Sequence, residues 1–246
     1  MKKVIKYLLK RNNLEIKRIV GEEYFEPEFL EIYQKVKDYT TGSKERLYSL
    51  YNSINYIIDA GLEGDFVECG VWKGGCCMLI ALTLLKRGIN NRKIWLYDTF
   101  LGMTKPTDED YDLLKGEKRI KVWEKRREGE FSDYAKAEID SVKKNMFITD
   151  YPKKNLMFIK GKVEDTLKVS KPKKICLLRL DTDWYESTKI EMEELYPLLE
   201  DKGVLISDDF RCLAGTKKAI IDYFKDNDIN LLINRTDDHS IIAIKT

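Results

Sequence analysis

The 246-residue chain is predicted to fold as α/β, with a Rossmann-like, doubly wound mixed sheet. Three observations carry this expectation. Short apolar runs alternate with amphipathic helical stretches from residue 61 onward. Those runs lack polar alternation, as strands covered on both faces do. The last two runs, "INLLINR" and "SIIAIKT", are separated only by "TDDH", too short for a parallel crossover, so they form an antiparallel hairpin.

Residues 1–60 read as a helical extension. In "SKERLYSLYNSINYIIDAGLEGD", Leu47, Leu50, Ile54, Ile57 and Ile58 recur at helical spacing and Gly61 stops the pattern. Residues 61–246 form the main domain. Its five parallel strands are "DFVECGV", "KIWLYDTF", "NLMFIKG", "KICLLRLD" and "GVLISDDF", with helices near 75–88, 136–148, 185–200 and 215–226. Residues 101–150 exceed the two-to-six-residue loops of such sheets. This charged insertion follows a strand end on the ligand side, where a lid or substrate-recognition element is expected.

Charge excludes some functions. With 44 basic and 42 acidic residues, the net charge of +2 supplies no bulk attraction to nucleic acid. Residues 1–20 hold seven of the bases and one acid, which leaves the remainder of the chain at −4. An amphipathic helix with a solvated lysine face accounts for that start. "VIKYLL" is too short, and too interrupted by Lys6, for a secretory core, and no run approaches a membrane span. Five cysteines without CxxC spacing suit reduced thiols and a cytoplasmic location.

"DFVECGVWKGG" (65–75) runs from a strand through a glycine-rich turn into a helix. Such a turn brings backbone close to a ligand at a strand's carboxyl end. The dinucleotide fingerprint is absent, because Val71 and Trp72 follow Gly70, and Glu68 would repel a pyrophosphate. A nicotinamide oxidoreductase is therefore disfavoured. A ligand with a cationic amino-acid end fits better, and S-adenosylmethionine is the expected cofactor. Glu68 would take its ammonium, with Cys69, Gly70, Val71 and Gly74 around the methionine portion. Asp98 at the second strand's end would take the ribose hydroxyls. Val163 and Glu164, after the third strand, would border the adenine.

The fourth and fifth strands are neighbours in a parallel sheet, so their carboxyl ends converge. Asp181, Asp208 and Asp209 then form a cluster of hard oxygen donors suited to Mg2+ or a similar divalent cation. Such an ion lowers an alcohol's pKa, and Asp181 is the expected catalytic proton acceptor and a neighbour of the donor. The reaction expected is in-line displacement of a methyl group onto oxygen.

These residues and those around them resemble the macrocin O-methyltransferase family, across about residues 38–226. The carriers are "GDFVECGVWKGG", "YDTFLGMTKPTDED", "FIKGKVEDTL", "LLRLDTDWYEST", "LYPLLEDKGVLISDDF" and "GTKKAIIDYF". The resemblance implies a class I methyltransferase fold, of which the five-strands-plus-hairpin ending is the usual form. It also implies a Mg2+- and S-adenosylmethionine-dependent enzyme acting on sugar hydroxyls of small molecules, a homo-oligomer, metal ligands at Asp181, Asp208 and Asp209, and a lid at 101–150. After the paired aspartates the chain departs from the family, with Arg211, Cys212 and Leu213 in "DDFRCLAG". Arg211 is a candidate contact for a phosphate, as on a nucleotide-linked sugar. Trp184 and Tyr185 are candidates for the acceptor pocket, a core role at the helix start being the equal alternative. Arg46 and Thr41 precede the first strand and are candidates to help bind the donor, a packing or surface role being the preferred reading, and His239 is assigned to the surface. The rival reading takes "DTD" (181–183) as the Asp-x-Asp motif of a metal-dependent glycosyltransferase. A non-catalytic binding protein would not need all three acids.

Overall fold

The computed structural model describes residues 24–246; the basic helix expected at residues 1–20 lies outside the described residues. The first elements are α1 (Pro27–Val36) and α2 (Lys44–Asp59). Ser43 caps α2 by accepting the amide of Arg46 at 3.1 Å. Leu47, Leu50, Ile54 and Ile57 then share one buried face and pack with Phe29, Ile32 and Val36 of α1. These side chains belong to the same core as the sheet, so the two helices are part of the main body.

The central sheet uses β1 (Asp65–Cys69), β2 (Ile94–Asp98), β7 (Leu156–Lys160), β8 (Ile175–Leu180), β9 (Leu199–Ser207), β10 (Asn234–Arg235) and β11 (Ile241–Ile244). Its order is β10-β11-β9-β8-β1-β2-β7. Pairing is parallel from β7 to β9, and β11 runs antiparallel to β9 and β10. This is the expected mixed sheet of five parallel strands and a terminal hairpin. Of the run "INLLINR", only Asn234–Arg235 is strand, because the preceding residues cover the sheet instead of extending it.

Register aligns the strand ends. Cys69 of β1 lies opposite Tyr97 of β2 and Leu180 of β8, and Leu180 lies opposite Ser207 of β9. The next residues, Gly70, Asp98, Asp181 and Asp208, therefore emerge side by side along one edge, which is where open α/β sheets bind ligands. Helices α3 (Gly75–Lys86), α5 (Ile139–Phe147), α7 (Tyr185–Leu195) and α8 (Ala214–Asp226) flank the sheet. The helix expected over 185–200 ends at Leu195, because Pro197 turns the chain through a 3-10 segment and β9 already begins at Leu199.

The insertion is ordered. It contains two short ribbons, β3 (Tyr111–Asp112) with β4 (Glu117–Lys118) and β5 (Arg127–Glu128) with β6 (Phe131–Ser132), around α4 (Arg119–Lys125). Beyond it, α5 returns to the body with Val142 and Met146 fully buried, so the part of 101–150 that leaves the core ends before Ile139. The remaining short helix, α6 (Val163–Thr166), follows β7. Among the described residues no helix is long and apolar enough to cross a membrane.

Candidate active site

The acids that look unpaired in sequence are paired in space. Arg179, inside the apolar run of β8, is directly opposite Glu68 of β1 and two positions before Asp181, so the three share one face. Its Nη1 donates to Glu68 Oε1 at 2.6 Å and to Asp181 Oδ2 at 2.7 Å, and its Nη2 donates to Asp208 Oδ1. A second guanidinium approaches from α2. Arg46 donates to Asp208 Oδ2 and sits 2.8 Å from Asp237 Oδ2 in the terminal hairpin turn. Arg46 thus belongs to the site, a correction to the packing or surface role expected of it. Arg179 was missed. Its signal was an arginine inside "CLLRLD", which a buried strand carries only when acids surround it.

Asp181, Asp208 and Asp209 each present an oxygen within 4.8 Å of the others. Convergence of the three acids follows from the β8–β9 pairing. Burial raises the Asp181 carboxyl well above the usual range, against the pull of Arg179, and Asp208 and Asp209 push it further. Yet its side chain keeps 26 % of its surface accessible from the cleft. Asp209 is raised in the same way by burial and by Asp183 and Asp208. Asp183 completes the group with its pKa at about 7, mainly from burial. Its backbone is left-handed, φ 70°, uncommon for a non-glycine residue and typical of sites where geometry outranks local ease. Six carboxylates (Glu68, Asp181, Asp183, Asp208, Asp209, Asp237) thus face two arginines. If all ionise, the cluster carries a surplus of four negative charges. Hard donors with excess charge fit a divalent cation.

Beside this cluster opens a cleft of about 570 Å³, lined by Glu68, Gly70, Val71, Asp98, Asp181 and Asp183 among others. It joins a smaller recess through Gly70, Asp98 and Asp181, where Val163, Glu164 and Ser187 form the far wall. Glu68, Gly70, Val71, Asp98, Val163, Glu164 and Asp181 are therefore gathered around one space. Glu68 is 2 % exposed, its pKa raised by burial, and it accepts from Cys77 Sγ at 2.8 Å as well as from Arg179. Asp98 Oδ2 accepts the amides of Val71 and Trp72 at 2.9 and 3.1 Å, and its Oδ1 that of Phe100 at 2.7 Å, so it also shapes the glycine turn. Two expected neighbours of the donor stand elsewhere. Cys69 points into the core on the far side of β1, and Gly74 faces Val142 and Met146 of α5; the adjacent Gly75 lines the cleft instead.

Gly70 has φ 82°, and a Cβ there would collide with the carbonyl of Asp181. The turn can pass β8 only without a side chain. Gly70→Ala is expected to cost about 1–3 kcal/mol, read as a lowered melting temperature.

Among the acceptor-side expectations, Trp184 takes the core role that was its equal alternative, and Arg211 stands away from the cleft. Trp184 is 4 % exposed and donates through Nε1 to the Thr104 carbonyl at 2.8 Å, packing with Met103, Cys212 and Leu213. It anchors the insertion and does not line the cleft. Tyr185 sits at the start of α7, where its amide meets Asp110 Oδ1 at 2.8 Å. Asp110, 1 % exposed, also accepts the amide and hydroxyl of Thr107 and so fastens insertion to helix. Arg211 is exposed and absent from the cleft wall, its amide donating to the His239 carbonyl at 2.8 Å. The rest of the cleft wall comes instead from Tyr39, Thr41, Trp72, Arg126, Tyr134 and, beside Asp209, His239. His239 is only partly exposed and faces the acids, which corrects its assignment to the surface.

The sequence matches the family described as "Macrocin-O-methyltransferase (TylF)" over residues 15–244. Among curated proteins, it is 29 % identical over 179 residues to the demethyldecarbamoylnovobiocin O-methyltransferase of Streptomyces niveus, spanning 73 % of this chain but only 65 % of that relative. It is 28 % identical to the mycinamicin III 3''-O-methyltransferase of Micromonospora griseorubida, over 78 % of this chain and 72 % of the relative. Among solved structures, the O-methyltransferase NovP superposes with a TM-score of 0.74 at 25 % identity, covering 85 % of this chain and 82 % of that one. The calicheamicin methyltransferase CalS11 shares the fold, with a TM-score of 0.62 at 16 % identity over 94 % and 98 % of the two chains.

Proposed function

The chain belongs to the macrocin O-methyltransferase family, and from that premise we propose that it is an S-adenosylmethionine-dependent O-methyltransferase acting on a sugar hydroxyl of a glycosylated small molecule. The observation that carries the reading is the joining of two features along one sheet edge: the Gly70 turn with Asp98, and the acid trio of Asp181, Asp208 and Asp209. The glycosyltransferase alternative has no such family match, and its "DTD" aspartates fall within the same trio and its neighbour.

When bound, S-adenosylmethionine would supply an electrophilic methyl group. Gly70 and the amides around it would let the donor's amino-acid end approach the backbone, with Glu68 to hold that end and Asp98 to take the ribose. Val163 and Glu164 would border the base, and Ser187 holds Glu164 by donating its hydroxyl at 2.7 Å. Asp181, Asp208 and Asp209 would hold a divalent cation, the surplus of carboxylates over arginines being what such an ion neutralises. When bound, the ion would supply Lewis-acid polarisation that makes the acceptor hydroxyl a better nucleophile. Asp181 is already engaged by Arg179, so of the two "DTD" acids Asp183 is the better placed to receive the hydroxyl proton; this revises the proton-acceptor role expected of Asp181. The insertion, through Met103, Arg126 and Tyr134, walls the acceptor side.

A methyl-transfer screen over free, nucleotide-linked and glycosylated sugars tests the proposal. Activity is expected with one of these classes, lost with EDTA and restored by Mg2+. Full activity in EDTA, or stabilisation by a UDP-sugar with Mn2+ and not by S-adenosylmethionine, would overturn it. Sedimentation of the purified chain tests the expected homo-oligomer.

A further inference from the structure

Beside the acid trio stands a second group of donors of different chemistry. Asp209, Cys212 and His239 each present a ligand atom within 4.8 Å of the other two. They come from two turns that are tied together. In the first, Asp209 and Cys212 are three residues apart, with the amides of Cys212 and Leu213 both donating to the Asp209 carbonyl at 3.1 and 2.9 Å. In the second, Asp237 Oδ1 accepts the amides of His239 and Ser240 at 2.8 and 2.9 Å, and Ser43 and Arg46 hold its other oxygen. The Arg211 amide joins the turns by donating to the His239 carbonyl at 2.8 Å. Cys212 Sγ already lies 3.2 Å from Asp209 Oδ1. Among the described residues the imidazole of His239 makes no hydrogen bond that would hold it away.

We propose that Asp209, Cys212 and His239 form a site for a soft divalent transition metal, Zn2+ above all, and that its occupation shuts off methyl transfer. Zn2+ takes thiolate, imidazole and carboxylate at about 2.0–2.3 Å in a tetrahedron, which places ligand atoms roughly 3.2–3.8 Å apart. From within 4.8 Å of one another, the ligand atoms need a closure of at most about 1.6 Å, within reach of side-chain rotation. On binding, a Zn–S bond replaces the thiol S–H bond and the proton passes to buffer; no electron is transferred. The thiolate and imidazole select against Mg2+, which prefers all-oxygen coordination. Asp209 is the shared ligand. A soft ion that recruits it removes one of three donors from the trio and places two positive charges beside what remains. The inhibitory consequence rests on the methyltransferase reading, but the metal site does not.

Two measurements on the full chain test it. In metal-free protein, Co2+ is the probe: a thiolate-to-cobalt charge-transfer band is expected in the near ultraviolet, saturating at one equivalent. Cys212→Ser should abolish it and His239→Gln should weaken Co2+ binding by about tenfold or more. Second, micromolar Zn2+ should inhibit methyl transfer in millimolar Mg2+, reversibly on chelation. Cys212→Ser should keep its uninhibited rate within about twofold and need at least about tenfold more Zn2+. A wild-type protein without the thiolate band, or Zn2+ inhibition unchanged in both variants, overturns the site. A Cys212-dependent band in a protein that transfers no methyl group would leave the site standing and defeat the methyltransferase reading instead.

Discussion

Replacing Arg179 with leucine is expected to destabilise the fold by about 3–5 kcal/mol, a large part of the whole stability of a domain of this size. The guanidinium is 4 % exposed and is shared by Glu68, Asp181 and Asp208. Burial opposes its charge, but Asp181, Asp208 and Glu68 outweigh burial and hold it firmly protonated. Leucine fills part of the volume and leaves three acids crowded together, with Arg46 as their one close guanidinium among the described residues. Their repulsion must then be relieved by taking up protons or by opening the strand ends. Thermal unfolding would show a midpoint lowered by roughly 10 °C or more. Arg179→Lys keeps the charge yet cannot fork to three partners, so it should fall between the two. A leucine variant melting with the wild type would mean that Arg179 is not the counter-ion holding these acids in place.

Asp209→Asn is the complementary experiment, expected to lower turnover by about a thousandfold with stability almost unchanged. Unlike Asp208, which both arginines engage, Asp209 has no guanidinium partner, so the neutral amide orphans no buried cation. It also relieves repulsion from Asp183 and Asp208. What it removes is one donor of the proposed divalent-ion site, where an ion's Lewis-acid effect would amount to several kcal/mol at 1.4 kcal/mol per tenfold in rate. Binding of S-adenosylmethionine, followed as a thermal shift, should stay within a few-fold of wild type. Retained turnover in Asp209→Asn would remove Asp209 from the reaction.

What the sequence revealed about the site was what lies along single strands. Apolar runs ending in acids located Asp98, Asp181 and Asp208, and parallel pairing brought the last two together. What it concealed depends on contacts between distant segments. Arg179 is legible only once Glu68 is known to stand across from it, and the pairing of Arg46 with Asp208 spans 162 positions. His239 looked peripheral because a hairpin turn gives no hint of which way it folds; Arg211, Asp237 and Arg46 bend it over the acids. Trp184 misled for the opposite reason. An aromatic beside catalytic acids suggests a pocket, but its indole N–H found a carbonyl in the insertion, and apolar burial did the rest.

The insertion is fastened to the body by Asp110 with Tyr185, Trp184 with Thr104 and the Leu113 amide with the Cys212 carbonyl, whereas the acids of the trio follow directly on the ends of two sheet strands. On the proposed function, the acceptor wall and the acid trio come from separate pieces of chain. Exchanging residues between Leu101 and Glu138 for a differently shaped segment, with these fasteners retained, is therefore expected to change acceptor preference while the carboxylates stay in place.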